Sequence, residues 1–329
     1  MSIYGGGKMK KALDNVAEAI GETPMVRLSR ITKAYQAEGN ILAKLEYLNP
    51  GFSKKDRVAL KMITEAEEAG LLKPGQAVVE LTSGNTGTGL AIVCTCKGYK
   101  FIACMSGGNS TERARMMKAL GAEVVLVDQM PGSPRGQVSG EDLAIVEQRA
   151  REITKERNAF RADQFKLTAC NNAHAQYTAE EMWLQTDGQI DAFVDFVGSG
   201  STFGGCSRTL KKHNPNIRCY IAEPATASVY AGKPITNKSH KIQGGGYSMD
   251  LPLLDKSMIS GCVQITDDEA AEMARSLAGL EGIFAGFSSG ANVSAALKLL
   301  AGPEKGKTIV LTLNDSGLKY LSTDLYDDV

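Results

Sequence analysis

AVVELTSGNTGTGLAIVCTCKGYKFIACM, residues 77–105, decides the fold class. Residues 77–81 form a short apolar run, 87–98 a small-residue segment of helical length, and 99–105 a second apolar run. Strand, helix, strand is the sequence sign of a parallel β-α-β unit. STERARMMKALG (110–121) and AEVVLVD (122–128) extend the series by one helix and one strand.

Between the first strand and its helix lies TSGNTGTG (82–89), at the carboxyl end of a parallel strand, where α/β proteins bind ligands. Gly84, Gly87 and Gly89 let backbone N–H groups approach an anion, and Thr82, Ser83, Asn85 and Thr86 add hydroxyl and amide donors. A carboxylate or a phosphate suits this loop. A plain strand-to-helix turn needs fewer such residues.

A glycine- and proline-rich loop (131–140) and a charged helix around 141–157 separate this series from a second one. The second contains a helix at 174–185, a strand at 191–197, a helix near 203–213, a strand at 217–223, helices at 267–280 and 289–300, and a strand at 308–313. The expected architecture is α/β in two lobes, each a mostly parallel sheet flanked by helices. Residues 46–160 form the smaller lobe and 1–45 plus 161–329 the larger.

Composition narrows the function. The chain has 329 residues, 43% of them apolar, with 37 basic and 37 acidic side chains. Such a chain buries substantial cores, and its balanced charge argues against a nucleic-acid footprint. MSIYGGGKMKK at the start has no apolar leader, and no apolar run reaches 18 residues, so no membrane partner and a cytoplasmic location are expected. Seven scattered cysteines and three histidines offer no metal-ligand spacing, and no metal is expected. His174 falls between lobe-forming segments and reads as structural.

NPGFSKKDR (49–57) precedes an amphipathic helix closed by Gly70, and puts Lys54, Lys55 and Arg57 at its positive end. At 100° per residue, Val58, Ala59, Met62, Ile63, Ala66 and Ala69 fall within ~80° of Lys55. Lys54, Arg57, Lys61, Glu65 and Glu68 cluster opposite, as a solvated face. Ser53 and Asp56 have capping-box spacing. A lysine held inward beside positive groups is more readily neutral, and a neutral amine forms Schiff bases. A snorkelling lysine is the plainer alternative.

GSGSTFGG (198–205) also follows a strand and opens a helix, a phosphate-cradling arrangement of backbone N–H groups with Ser199, Ser201 and Thr202. Glu223, at the end of the next strand, raises a dinucleotide reading, but Phe203 stands where that fingerprint needs its third glycine. FSSGAN (287–292) is a third small-residue turn. One inward lysine, two anion-binding turns and a hydroxyl-bearing turn together match the needs of a pyridoxal phosphate site.

These residues resemble the cysteine synthase family, the β-family (fold type II, tryptophan synthase β-like) of pyridoxal-phosphate enzymes that includes O-acetylserine sulfhydrylase and cystathionine β-synthase. The likeness runs through IGETPMVRL (20–28), ILAKLEYLNPGFSKKDR (41–57), ELTSGNTGTGLA (80–91), GSGSTFGG, KIQGGG (241–246), EGIFAGFSSGA (281–291) and DSGLKYLST (315–323). In pattern it is nearest O-acetylserine sulfhydrylase.

The resemblance implies pyridoxal 5'-phosphate in the cleft between lobes, with Lys55 as Schiff-base lysine and catalytic base. It implies that Asn85 meets the cofactor's phenolic oxygen, Gly198, Ser199, Gly200, Ser201 and Thr202 its phosphate, and Ser288 its pyridine nitrogen. Thr82, Ser83, Asn85, Thr86 and Gln164 would hold the substrate carboxylate. The implied reaction is β-replacement on an activated serine through an aminoacrylate, giving cysteine or a related β-substituted alanine, by a homodimer using a small amino acid and a small nucleophile.

Departures from the family pattern are Lys54 for a small apolar residue, Ser201 for a glycine, YTAEE (177–181) for TTGPE, SGGNS (106–110) in a cleft loop, and GGGYSMDLP (244–252) for a sequence close to GIGAGFIP. Tyr247 and Asp250 thereby become candidate substrate-side residues. They motivate the alternative of β-elimination, releasing sulfide or ammonia and pyruvate. A nicotinamide oxidoreductase and a catalytically silent binding protein are the readings from other classes.

Overall fold

The computed structural model describes residues 11–133, 138–237 and 240–327. The first ten residues of the amino-terminal segment, and four residues (134–137) of the 131–140 loop, lie outside them.

Among the described residues ten strands form two sheets. They are β1 (Met25–Arg27), β2 (Asn40–Leu45), β3 (Val78–Leu81), β4 (Phe101–Ser106), β5 (Glu123–Val127), β6 (Phe160–Arg161), β7 (Ala192–Phe196), β8 (Arg218–Pro224), β9 (Gly261–Ile265) and β10 (Thr308–Leu313). The larger sheet runs β1-β2-β10-β7-β8-β9 and the smaller β5-β4-β3-β6. All pairings are parallel except β1 with β2. The chain is therefore an α/β protein with parallel sheets flanked by helices, as the β-α-β periodicity predicted.

The helices are α1 (Ser29–Ala34), α2 (Lys55–Glu68), α3 (Asn85–Lys97), α4 (Thr111–Ala119), α5 (Gly140–Glu156), α6 (Ala169–Ala173), α7 (Ala179–Gln185), α8 (Ser201–His213), α9 (Asp267–Glu281) and α10 (Phe287–Leu300). A π turn, His174–Thr178, joins α6 to α7 where sequence periodicity predicts an unbroken helix.

Alternation along the central strands buries both faces of each sheet. Ala192, Val194, Phe196, Ile309 and Leu311 pack against α9 and α10, while Phe193 and Val310 face Phe203 and Leu210 of α8. In the smaller sheet Val78, Phe101, Ala103 and Met105 meet α2 and α3, and Val79, Leu81, Ile102 and Cys104 meet α5. Each such fully buried large side chain contributes roughly 1.5–3 kcal/mol.

Two sequence expectations for α2 are corrected. Arg57 and Lys54 are only 3% and 7% exposed, although the helical wheel put both on a solvated face. Arg57 donates to Glu46 through Nε (2.7 Å) and Nη2 (2.8 Å) and to Glu181 at 2.6 and 2.8 Å; Lys54 pairs with Asp195 at 2.7 Å. A wheel sorts residues by polarity within one helix and carries no information about carboxylates arriving from other elements. Lys61 and Glu65, placed on the same face, are half-buried and pair at 3.3 Å, and Ala69, placed on the inward stripe, is exposed.

Nor is there a capping box at 53–56. Lys54 occupies the N-cap position without a side-chain cap, and Lys55 is the first helical residue. The Asp56 carboxylate turns back to the N–H of Gly51 instead, and Ser53 Oγ accepts the Lys55 N–H at 3.3 Å.

Candidate active site

Four helix N-termini meet around one cavity of about 420 Å³. Its wall includes Lys54 and Lys55 where α2 begins, Asn85 where α3 begins, Gly198, Ser199, Gly200 and Thr202 leading into α8, and Ser288 in the first turn of α10. The loops entering α3 and α8 follow the carboxyl ends of β3, in the smaller sheet, and β7, in the larger, the ends at which parallel sheets bind ligands. A bridge between Ser53 and Asp315 ties the start of α2 to the end of β10.

Lys55 reaches Ser199, Nζ to Oγ, at 3.3 Å. Burial first, and the neighbouring Lys54 ammonium second, lower its pKa to about 8 from 10.5. The start of α2 adds its own positive potential. The chemical result is a lysine with an appreciable neutral, nucleophilic fraction near neutral pH.

The turn before α8 is built for close approach. A Cβ at Gly198 would lie 2.4 Å from the carbonyl oxygen of Gly244, and Gly200 has φ of +82°. Ser199 and Ser201 hydroxyls lie 3.0 Å apart. The first N–H groups of α8 have no carbonyl partner within the helix, which makes the turn an anion site. Glu223 does not serve this turn: its carboxylate accepts the N–H groups of Tyr230 and Ala231, both at 2.9 Å. The ribose-binding role raised by the dinucleotide reading thus has no free carboxylate.

The loop after β3 presents its residues differently from one another. Thr82 Oγ1 accepts the N–H groups of Gly84 and Gly87 (3.0 and 2.9 Å) and so shapes the turn. Thr86 donates to Gln164 Oε1 at 2.7 Å, and Gln164 Nε2 donates to the Leu81 carbonyl at 3.1 Å. Asn85 accepts from Lys319 Nζ (2.6 Å) and donates to Asp315 (2.8 Å). Burial lowers the Lys319 amine to about 8, with Asp315 and Asp56 opposing the shift.

Ser83 and Tyr247 both line an adjoining cavity of about 670 Å³, which shares Gln243 and Gly244 with the first. Arg113 holds this loop from behind, donating to the Ser83 carbonyl at 2.8 Å, its stem filling the space a Cβ on Gly84 would need. Asp250 is not brought to either cavity. Its side chain is 73% exposed and pairs with Lys256 at 2.8 Å.

Sequence reasoning missed His174 as a site neighbour. It is fully buried, with Nδ1 3.0 Å from Thr178 Oγ1 and Nε2 3.3 Å from Thr202 Oγ1. Burial, then the Lys54 and Lys55 charges, hold it well below the usual imidazole range, so it is neutral. It also missed Asn314, Thr312 and Asp195, which back Ser288 and Lys54. Among the described residues no cluster of three or more His, Cys, Asp or Glu side chains could hold a metal ion, and no helix is long and apolar enough to cross a membrane.

A family model described as pyridoxal-phosphate dependent enzyme matches residues 16–315. Cysteine synthase 3 of Caenorhabditis elegans is 43% identical over 314 residues, covering 95% of this chain and 89% of that protein. The crystal structure of O-acetyl serine sulfhydrylase isoform 3 from Entamoeba histolytica superposes with a TM-score of 0.90 at 36% identity, covering 100% of this chain and 96% of that one. A hydrogen sulfide-producing enzyme from Fusobacterium nucleatum gives a TM-score of 0.85 at 37% identity, covering 94% and 100%.

Proposed function

The chain belongs to the pyridoxal-phosphate-dependent enzymes, within the cysteine synthase type, and from that premise we propose that it catalyses β-replacement on an activated L-serine to give L-cysteine. The observation that carries this reading is the single cavity that gathers the Lys55 amine, the anion-binding turn 198–202 and the Ser288 hydroxyl.

The residues present fit the cofactor chemically. Lys55 would hold its aldehyde, Gly198 to Thr202 its phosphate, Asn85 its phenolic oxygen and Ser288 its ring nitrogen. When bound, pyridoxal phosphate supplies an electron-accepting ring that stabilises negative charge developing at the substrate α-carbon.

The chain's own groups then divide the work. Lys55 Nζ takes the α-proton and later returns it, a role suited to an amine of pKa about 8. The loop 82–86, braced by Gln164 through Thr86, receives the α-carboxylate. Asn85, oriented by Lys319 and Asp315, lines the cavity and has a second amide hydrogen to offer the cofactor's oxygen. The larger adjoining cavity, past Ser83 and Tyr247, admits the nucleophile.

Incubating the holoenzyme with O-acetylserine and sulfide tests this reading, and accumulation of cysteine is the expected result. Bound cofactor without cysteine overturns it, and pyruvate and sulfide from cysteine alone would replace it with β-elimination. That second reading has lost part of its support, because Asp250 faces solvent. A homodimer in the cytoplasm completes the proposal. Seven free cysteines suit a reducing compartment, and light scattering on the purified protein gives the assembly mass.

A further inference from the structure

Lys54 and Asp195 form an ion pair in the wall of the cofactor cavity, Nζ to Oδ1 at 2.7 Å, with side chains 9% and 2% exposed. A buried pair of this kind seldom stabilises a fold more than apolar residues of similar size would. Its consequence lies in what the carboxylate touches.

From Asp195 a line of hydrogen bonds runs to Ser288. Thr312 Oγ1 lies 3.2 Å from Asp195 Oδ1 and 2.7 Å from Asn314 Oδ1, and Asn314 Nδ2 donates to Ser288 Oγ at 3.1 Å. The Asn314 backbone is fixed at both groups: its N–H donates to Ser289 Oγ at 2.8 Å and its carbonyl accepts the Lys54 N–H at 2.9 Å.

Thr312 has one hydroxyl proton and two acceptors competing for it. Given to Asn314 Oδ1, the proton holds the amide with Nδ2 toward Ser288. Ser288 then accepts from Asn314 and keeps its own O–H free to donate into the cavity. Given to Asp195, the proton leaves Thr312 Oγ1 an acceptor, so the amide turns over. Ser288 must then donate to Asn314 and shows only lone pairs to the cavity.

A carboxylate is the stronger acceptor of the two. Lys54 offsets that advantage by occupying the same Oδ1 at the shorter distance. The 2.7 Å contact to Asn314 against 3.2 Å to Asp195 is the first arrangement.

We propose that Lys54 is a positioning residue: by engaging Asp195 it keeps Ser288 a hydrogen-bond donor toward the cofactor's ring nitrogen, and so keeps that nitrogen unprotonated. This rests on the reading that Ser288 faces the ring nitrogen. A donor hydroxyl stabilises a neutral pyridine nitrogen, whereas an acceptor stabilises the pyridinium form. The pair thereby sets the ring as a weaker electron sink, the setting that suits loss of a β-substituent over transamination.

The experiment is nitrogen NMR of the holoenzyme loaded with pyridoxal phosphate carrying ¹⁵N in its ring. Lys54→Met frees Asp195 and moves the ring resonance toward the protonated value. Adding Asp195→Ala to Lys54→Met removes the competitor and returns the resonance toward that of the unsubstituted protein. Ser288→Ala reports the ring placement: a resonance unmoved by it overturns that reading. A resonance moved by Ser288→Ala but not by Lys54→Met overturns the relay alone, as does a double variant that keeps the Lys54→Met shift. Lys54→Gln, neutral but able to donate one N–H, replaces Lys54→Met if that variant does not fold. A smaller shift in the same direction is then expected, and no shift overturns the proposal.

Discussion

His174 Nε2 lies 3.3 Å from Thr202 Oγ1, so a neutral imidazole in the π turn supports the hydroxyl at the mouth of the anion-binding turn. The wider π turn brings the ring there, while Nδ1 is satisfied by Thr178 at 3.0 Å. Replacing His174 by Ala removes both contacts without adding charge. One hydrogen bond is worth roughly 0.5–1.5 kcal/mol, so cofactor affinity should fall by up to about tenfold. Fluorescence titration of the apoprotein with pyridoxal phosphate checks this, and an unchanged dissociation constant removes His174 from the site.

How far the sequence was legible follows from where the information sits. Helix starts and strand ends are local, so the inward Lys55 and the turns at 82–89, 198–205 and 287–292 could be read from the sequence, whereas the roles of Asn85 and Ser288 came only with the family resemblance. Contacts between distant segments are not local. Arg57 looked solvated because Glu181 lies 124 residues away along the chain, and Lys54 because Asp195 lies 141 away. His174 carried no signal beyond an unremarkable helical period. Strands β1, β2, β6 and β9 were missed: β1, β6 and β9 are short and half-buried, with little apolar periodicity to show, and β2 lies before the alternating β-α series begins.

The amine of Lys55 predicts a pH profile for cofactor loading. Its pKa is lowered to about 8, so its neutral fraction rises as pH approaches 8 from below and levels off above. At pH 7 about one amine in ten is neutral, against about one in three thousand for a lysine at its ordinary value. The rate of pyridoxal phosphate incorporation into apoprotein should therefore climb about tenfold per unit below pH 8 and flatten beyond it. Stopped-flow absorbance gives the profile, and a rise continuing to pH 10 contradicts it. Lys55→Ala should give no stable visible band at any pH.

Substitution of Gln164 should separate an effect on substrate binding from one on cofactor binding. Its side chain bridges Thr86 at 2.7 Å and the Leu81 carbonyl at 3.1 Å, and it does not line the cavity that holds Lys55. Gln164→Ala should leave cofactor content and the visible band unchanged while raising KM for O-acetylserine by roughly tenfold, the loss of about one well-formed hydrogen bond. Steady-state kinetics decide this. A drop in kcat with KM unchanged would place Gln164 in the chemical step instead.

Arg57 predicts a stability effect distinct from catalysis. Its guanidinium joins α2 to Glu46, just past β2, and to Glu181 of α7, and the Thr23 hydroxyl accepts from Nη2 at 3.1 Å. Glu46 is fully buried, and Arg57 holds its carboxyl below the usual range against the upward push of burial. Arg57→Met leaves that carboxylate with Thr23, Asn49 and the Lys44 charge nearby but without its bidentate partner. Breaking a buried pair from one side costs about 3–5 kcal/mol. Chemical denaturation of the apoprotein should show a loss of that order. Glu46→Gln combined with Arg57→Met should recover part of it, because the stranded charge is gone. A double variant as unstable as Arg57→Met alone would mean that lost packing, rather than the unpaired carboxylate, sets the penalty.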